Sequence, residues 1–115
     1  MTTISVQSIA QYAMFEQDGI RLREAIINTL KNEKIVELDF DGVEYFTTMF
    51  FNASIGWLVL FKGPSYVKDR ILFKNLSELG EQTWQHSFDN AIKIRNDDDY
   101  KDAVQNYDEE GNEGE

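Results

Sequence analysis

Four side chains near the middle of the sequence have the chemistry that a functional site needs. Asp39 and Asp41 lie at the end of an apolar stretch, and Thr47 and Thr48 follow a few residues later. In open α/β sheets, ligands bind beyond the carboxyl ends of the strands, so the two carboxylates could hold Mg²⁺ or transfer protons. A magnesium site needs further oxygen ligands that the sequence does not single out, and an Asp-Gly pair is also common in turns. We therefore expect no metal site here.

The two threonines lie between a predicted strand and a predicted helix, which allows two interpretations. One hydroxyl can cap the helix by accepting a hydrogen bond from a free amide of its first turn. Alternatively, Thr48 or Thr47 is a phosphoacceptor, since helix-terminal amides and the helix dipole favour a negative group there. Such a phosphate would add about two negative charges to the surface. The residue types alone favour the cap.

Other kinds of active site lack their residues. The chain has no cysteine and a single histidine, His86, which excludes disulfides, thiolate metal sites and a pair of histidine ligands within the chain. No nucleophile stands at an identifiable spacing from His86, so a catalytic triad is not supported. The glycines form neither a dinucleotide-binding nor a phosphate-binding loop. We expect a protein that is not an enzyme and binds no cofactor.

The charge is distributed unevenly. Residues 96–115 contain nine acids and one base, whereas residues 1–95 carry a net charge of only −2. A nearly neutral body without a basic patch argues against nucleic-acid binding. The composition of residues 96–115 predicts a flexible, solvated tail. Two other roles stay open for this tail: docking on a basic partner, or mimicking nucleic acid as an acidic inhibitor or decoy, for example against a defence system.

The apolar segments indicate no membrane span. The longest apolar run, Phe46–Phe61, is interrupted by polar residues and is shorter than the roughly 20 residues that a spanning helix needs. The first residues show no basic region followed by an apolar one, so no signal peptide is predicted. We expect a cytoplasmic protein without a membrane partner.

Apolar periodicity predicts the elements that position the threonines. Asp18 is the predicted N-cap of the first helix, and Gly63–Ser65 is predicted to end the second, since proline cannot continue a helix. Strands alternating with helices predict an α/β domain with one mixed, mainly parallel sheet and helices packed on it. The predicted elements are a strand or hairpin within Ile4–Ala13, a helix at Asp18–Lys31, a strand at Lys34–Asp41, a helix at Met49–Lys62, a strand within Tyr66–Leu76 and a helix at about Leu79–Arg95.

Several short motifs together carry a family resemblance. They are Asp18-Gly19 with Leu22-Arg23, Leu38-Asp39-Phe40 with Gly42-Val43, Thr47-Thr48-Met49-Phe50, and Asn52-Ala53-Ser54-Ile55-Gly56 with Leu58. With these motifs the chain resembles the STAS-like domain family of unknown function, relatives of the bacterial anti-sigma factor antagonists. The resemblance extends over about Ile4–Arg95, leaving residues 96–115 as a separate acidic tail.

The resemblance implies a fold and a function. The fold is a single STAS-like domain with a sheet of four or five strands. The function is a non-enzymatic regulatory module of a bacterium or phage. In the anti-sigma factor antagonists, the turn before the second helix is phosphorylated by a kinase of the histidine-kinase-like ATPase fold, at a position corresponding to about Thr48. Such an ATPase is the implied protein partner, and the oligomeric state stays open. The expected partner-binding surface includes the loop Gly63–Ser65. Its other residues are Thr47, Thr48, Phe51, Asn52, Ser54 and Trp57.

Overall fold

Short strands alternate with helices along residues 1–97, the part of the chain that this computed structural model describes. The strands are β1 (Thr2–Ser5), β2 (Tyr12–Ala13), β3 (Val36–Asp39), β4 (Glu44–Phe46) and β5 (Ile71–Lys74). The helices are α1 (Glu16–Leu30), α2 (Thr48–Ala53), α3 (Ile55–Lys62), α4 (Pro64–Arg70) and α5 (Glu78–Arg95), and a 3₁₀ turn covers Val6–Ser8.

The strands form two small parallel sheets. The main sheet has the order β1-β3-β5, and β2 pairs with β4 in a second sheet. The predicted α/β domain is therefore confirmed, but its five strands are divided between two sheets instead of forming one. The chain leaves β3 through a turn at Gly42, whose φ of 80° is left-handed, and this turn directs β4 to β2.

Only one face of the main sheet is covered. Val36 and Leu38 are fully buried in the core, whereas Glu37 and Asp39 on the opposite face are half-buried. The exposed Leu72 of β5 is level with Glu37 and shares this open face. The two-residue alternation of β3 predicted this division.

Helix α1 starts earlier than the sequence predicts. Its N-cap is Phe15, which makes no side-chain cap hydrogen bond, so the prediction that Asp18 is the cap is wrong. Asp18 lies within the first turn and forms an ion pair with Arg21. It still complements the positive end of the helix dipole from this position.

The apolar run predicted as one helix, Met49–Lys62, is two helices. Ser54 separates α2 from α3 with φ −104° and ψ −99°, which no helix adopts. Its buried hydroxyl donates to the carbonyl oxygen of Phe50 at 2.9 Å. A serine hydroxyl that bonds backward in this way competes with the backbone ladder, which helps the chain to turn there.

The strand predicted within Tyr66–Leu76 is confirmed as β5, and the residues directly before it form helix α4. Pro64 occupies the first turn of α4, where its missing N–H costs nothing and its fixed φ suits a helix. The predicted stop after Lys62 is present, because Gly63 adopts a φ of 102° there, but a new helix follows at once.

A cluster of aromatic rings forms much of the core between the main sheet and the helices. Phe40 lies 6.2 Å from both Phe51 and Phe73 between ring centroids, and Trp84 of α5 contacts the latter two. Helix α5, predicted from about Leu79 to Arg95, begins at Glu78 behind the cap Ser77. Beyond Asp97, the predicted acidic tail lies outside the described residues.

None of the helices in residues 1–97 combines the length and the apolar character that crossing a membrane requires.

Candidate functional site

Thr47 joins three elements at the junction between β4 and α2. Its Oγ1 accepts a hydrogen bond from the Phe50 amide at 3.2 Å and donates one to the Met14 carbonyl at 2.8 Å. Its own amide donates to the Ala13 carbonyl at 2.9 Å. The helix-cap interpretation is therefore confirmed for Thr47, which also fixes α2 against the segment that leads into α1.

Thr48 is placed differently. It is the first residue of α2 and is half-buried, and its hydroxyl makes no hydrogen bond to any other residue within 1–97. Of the two candidate phosphoacceptors, only Thr48 thus has a hydroxyl that can change its chemistry without breaking a cap.

A groove of ≈ 590 Å³ runs between α1 and the helix pair α2–α3. It brings together three of the predicted site residues, Thr48, Asn52 and Trp57, with residues of α1 that were not predicted for the site. The guanidinium carbon of Arg23 lies 4.4 Å above the ring of Trp57, within cation–π distance. The residues that line the groove are Glu16, Ile20, Arg23, Thr48, Met49, Asn52, Ala53 and Trp57.

Two predicted partner-binding residues are in the core instead. Phe51 and Ser54 are completely buried, so neither contacts a partner in this conformation. Phe51 stacks on Phe46 with ring centroids 6.0 Å apart, and Trp84 of α5 lies against it. The predicted loop Gly63–Ser65 is the start of α4 and does not line the groove. Apolar residues on nearly every side of the predicted helix indicated burial or a partner surface, and they did not show that α5 covers this side of α2.

Exposed apolar side chains surround the junction at residues that were not predicted for the site. Residues 1–97 expose eight large apolar side chains, and five of them lie on β2, on β4, between β2 and α1, or at the start of α2. The Tyr12 and Tyr45 rings are 5.5 Å apart, and Met49 continues into the groove. Clusters of this kind mark interaction sites more often than scattered apolar residues do. We call this set the junction patch: Tyr12, Met14, Phe15, Tyr45 and Met49.

The exposed Tyr45 of this patch has a strained backbone conformation. Tyr45 has a φ of 55°, in the left-handed region that bulky residues rarely occupy. Such conformations cost about 1–3 kcal/mol and persist where the surrounding structure imposes them. The pairing of Tyr12 with Glu44, next to Tyr45, provides that constraint. The segments at residues 12–15 and 44–46 are too short to show a period, so their apolar character was the only signal that could have indicated this patch.

Asp39 and Asp41, the candidate metal or acid–base pair, form a turn. The Asp39 carboxylate accepts hydrogen bonds from the Asn75 side-chain amide at 2.9 Å and from the Asp41 backbone amide at 3.0 Å. These two bonds, the one from Asn75 first, lower the pKa of Asp39 below its ordinary value. No group of three His, Cys, Asp or Glu side chains in the described part of the chain is placed to hold a metal ion. His86 lies exposed on α5.

Comparison with known proteins identifies the family. Residues 18–81 match the family model described as STAS-like domain of unknown function (DUF4325). No curated protein and no solved structure gave a significant match. The matched range runs from the first turn of α1 to the first turn of α5 and includes the junction and the groove. Because it covers more than half of the sequence, this chain belongs to the family of STAS-like domains of unknown function.

Proposed function

We propose that the chain is a non-enzymatic regulatory module that binds a protein partner through the junction surface, meaning the junction patch together with the groove. One observation carries the proposal: most of the large apolar side chains exposed in residues 1–97 gather around the β4–α2 junction. Membership of the STAS-like family supports the same general role.

The composition of the junction surface suits recognition of a protein. Tyrosine and methionine are enriched in interface centres, and energetic hot spots favour large side chains surrounded by polar groups. Here the exposed Tyr45 and Met49 are flanked by Thr48, Asn52 and the carboxylate of Glu16. Thr47 and the α1–α2 contact hold these side chains on fixed elements, which lowers the entropy that binding costs.

A finer proposal concerns Thr48 as the phosphoacceptor. Thr48 is only half-buried and its hydroxyl makes no hydrogen bond within residues 1–97, whereas phosphorylation of Thr47 would remove both the cap and the bond to Met14. A phosphate on Thr48 would enter a groove that already holds Glu16 and would repel an acidic partner surface. The family resemblance suggests that the partner is a kinase of the histidine-kinase-like ATPase fold.

Affinity capture from the native cell with a matched pair of variants tests the binding surface. Met49→Asp places a charge in the junction patch, and Leu79→Asp places the same charge at a site of equal exposure, 58% against 57%, outside it. We expect Met49→Asp to lose a partner that wild type and Leu79→Asp both retain. Equal capture by all three proteins would refute the proposed surface.

Incubation of the captured partner with ATP tests the phosphoacceptor. We expect mass spectrometry to find phosphate on wild type and on Thr47→Val but not on Thr48→Val. Phosphate that persists on Thr48→Val would assign the modification elsewhere.

A further inference from the structure

We propose that the acidic C-terminal segment, residues 98–115, docks within its own molecule over the Arg23–Trp57 end of the groove and competes there with the partner. The docking does not depend on the proposed function. The competition rests on the proposed function of the junction surface.

Helix α5 ends next to this end of the groove. Arg95, its last residue, donates from Nη1 to the Leu60 carbonyl of α3 at 2.6 Å. Leu60 lies three residues after Trp57, which is about 4.5 Å along a helix axis. The described chain ends at Asp97, two residues later. The acidic segment therefore starts beside the groove.

The receiving surface combines aromatic rings with cations. Trp57 and Phe61 lie 4.7 Å apart between ring centroids, and the Arg23 guanidinium covers the Trp57 ring. Lys62 ends α3, and the side chain of Arg95, which ends α5, bonds to the carbonyl of Leu60 two residues before it. Cations at helix C-termini are favoured by the helix dipole, and Arg23, Lys62 and Arg95 can attract an acidic segment to this end, whereas Glu16 lines the groove on α1.

The segment has the complementary composition. Residues 98–115 contain eight acids and a single base, Lys101. Tyr100, Val104 and Tyr107 supply large side chains at intervals of four and three residues between the acids. Tyrosines can contact the rings of Trp57 and Phe61 while the carboxylates meet the cations, so apolar and charged groups match at once.

The length of the segment permits this docking. Eighteen residues can extend to about 60 Å, whereas the helical path from Leu60 back to Thr48 covers about 18 Å at most. A tethered segment acts at an effective concentration on the order of 1 mM. Even an intrinsic dissociation constant of about 0.1 mM would keep the groove roughly 90% occupied and weaken the partner about tenfold.

Paramagnetic relaxation in the full-length protein tests the docking directly. The chain has no cysteine, so Asn106→Cys gives one site for a nitroxide label. The reporters are the indole N–H of Trp57 in the groove and the backbone amides of Thr3 and Leu72 on the main sheet. We expect the label to attenuate the Trp57 signal far more than the sheet signals, and Tyr100→Ala with Tyr107→Ala to abolish the difference.

Salt and isotope mixing complete this experiment. High salt restores the Trp57 signal if charge attraction holds the segment in place. Equal attenuation of all reporters would overturn the proposal. So would attenuation in a mixture of isotope-labelled and spin-labelled molecules, because the occupant would then be a second copy.

A second measurement separates this inference from the proposed function. We expect Tyr100→Ala with Tyr107→Ala to raise partner affinity about tenfold, and adding Met49→Asp to abolish capture again. Unchanged affinity of the tyrosine variant would overturn the competition while leaving the binding function in place. Absence of any Met49-dependent partner would refute the proposed function, and relaxation at Trp57 would still decide the docking.

Discussion

A single hydroxyl, that of Thr47, fixes the elements of the junction surface to one another. It caps α2 and bonds to the segment before α1, while the neighbouring hydroxyl of Thr48 stays available. Residue type predicted that a threonine caps the helix. It could not decide which of two adjacent threonines does so, because that depends on where Ala13 and Met14 lie in space.

Removing the Thr47 hydroxyl should destabilise the domain. We expect Thr47→Ala to lower the free energy of unfolding by about 1–2 kcal/mol, since it loses a cap and a second hydrogen bond. Thr47→Ser should recover most of this loss, and Thr48→Ala should have little effect. Urea denaturation measures the free energy of unfolding of the three variants, provided that its dependence on urea concentration is the same as in wild type. A larger loss in Thr48→Ala than in Thr47→Ala would contradict the assignment.

The Asp39 turn gives a pH-dependent prediction. Because its folded-state pKa is lowered, its contribution to stability is present above the unfolded value of about 3.9 and is lost as the pH falls through the folded value. Asn75→Gly removes the main donor and suits the φ of 59° there, so we expect the pKa of Asp39 to rise toward normal. Carboxyl NMR titration measures it, with Glu33, whose pKa is lowered chiefly by Thr2, as the unaffected internal control.

At the scale of the element, close helix contacts decide where the site residues lie. Helices α1 and α2 approach so closely at Gly19 that a Cβ there would stand 2.5 Å from the Phe50 carbonyl oxygen and 2.9 Å from the Ala53 Cβ. The groove and the junction patch both depend on this contact, because α2 carries Thr48 and Met49.

Gly19→Ala should therefore be costly although alanine favours helices. We expect a loss of about 1–3 kcal/mol, because rigid backbone must move to admit the methyl group. Asn28→Ala, at an exposed position of the same helix, should be neutral or slightly stabilising. Thermal unfolding of the pair measures the difference. A stable Gly19→Ala protein would show that the two helices are not held this closely.

Periodicity predicted α1, β3 and α5 because each of these elements buries one face, on which its apolar residues repeat. It failed at Ser54 and Pro64, where local chemistry decides. A serine in an apolar run gives no sign that it ends a helix, and a proline that stops one helix can equally begin the next. The burial of Phe51 depended on the position of α5, which lies far along the sequence.

For the whole molecule, the main sheet and the junction present two very different surfaces. The uncovered sheet face carries polar or charged side chains apart from Leu72, whereas the apolar side chains gather around the junction. The order of elements predicted the α/β class from sequence alone. It could not predict two sheets, nor that the short segments at residues 12–15 and 44–46 would meet, because their contacts are non-local.

Site-specific photocrosslinking in the native cell shows whether the junction surface contacts a protein partner. A benzophenone side chain replaces Met49 in one protein and Leu79 in another, two positions of equal exposure. We expect a discrete heavier adduct from position 49 and none from position 79. An adduct from position 79 alone, or none from either position, would contradict it.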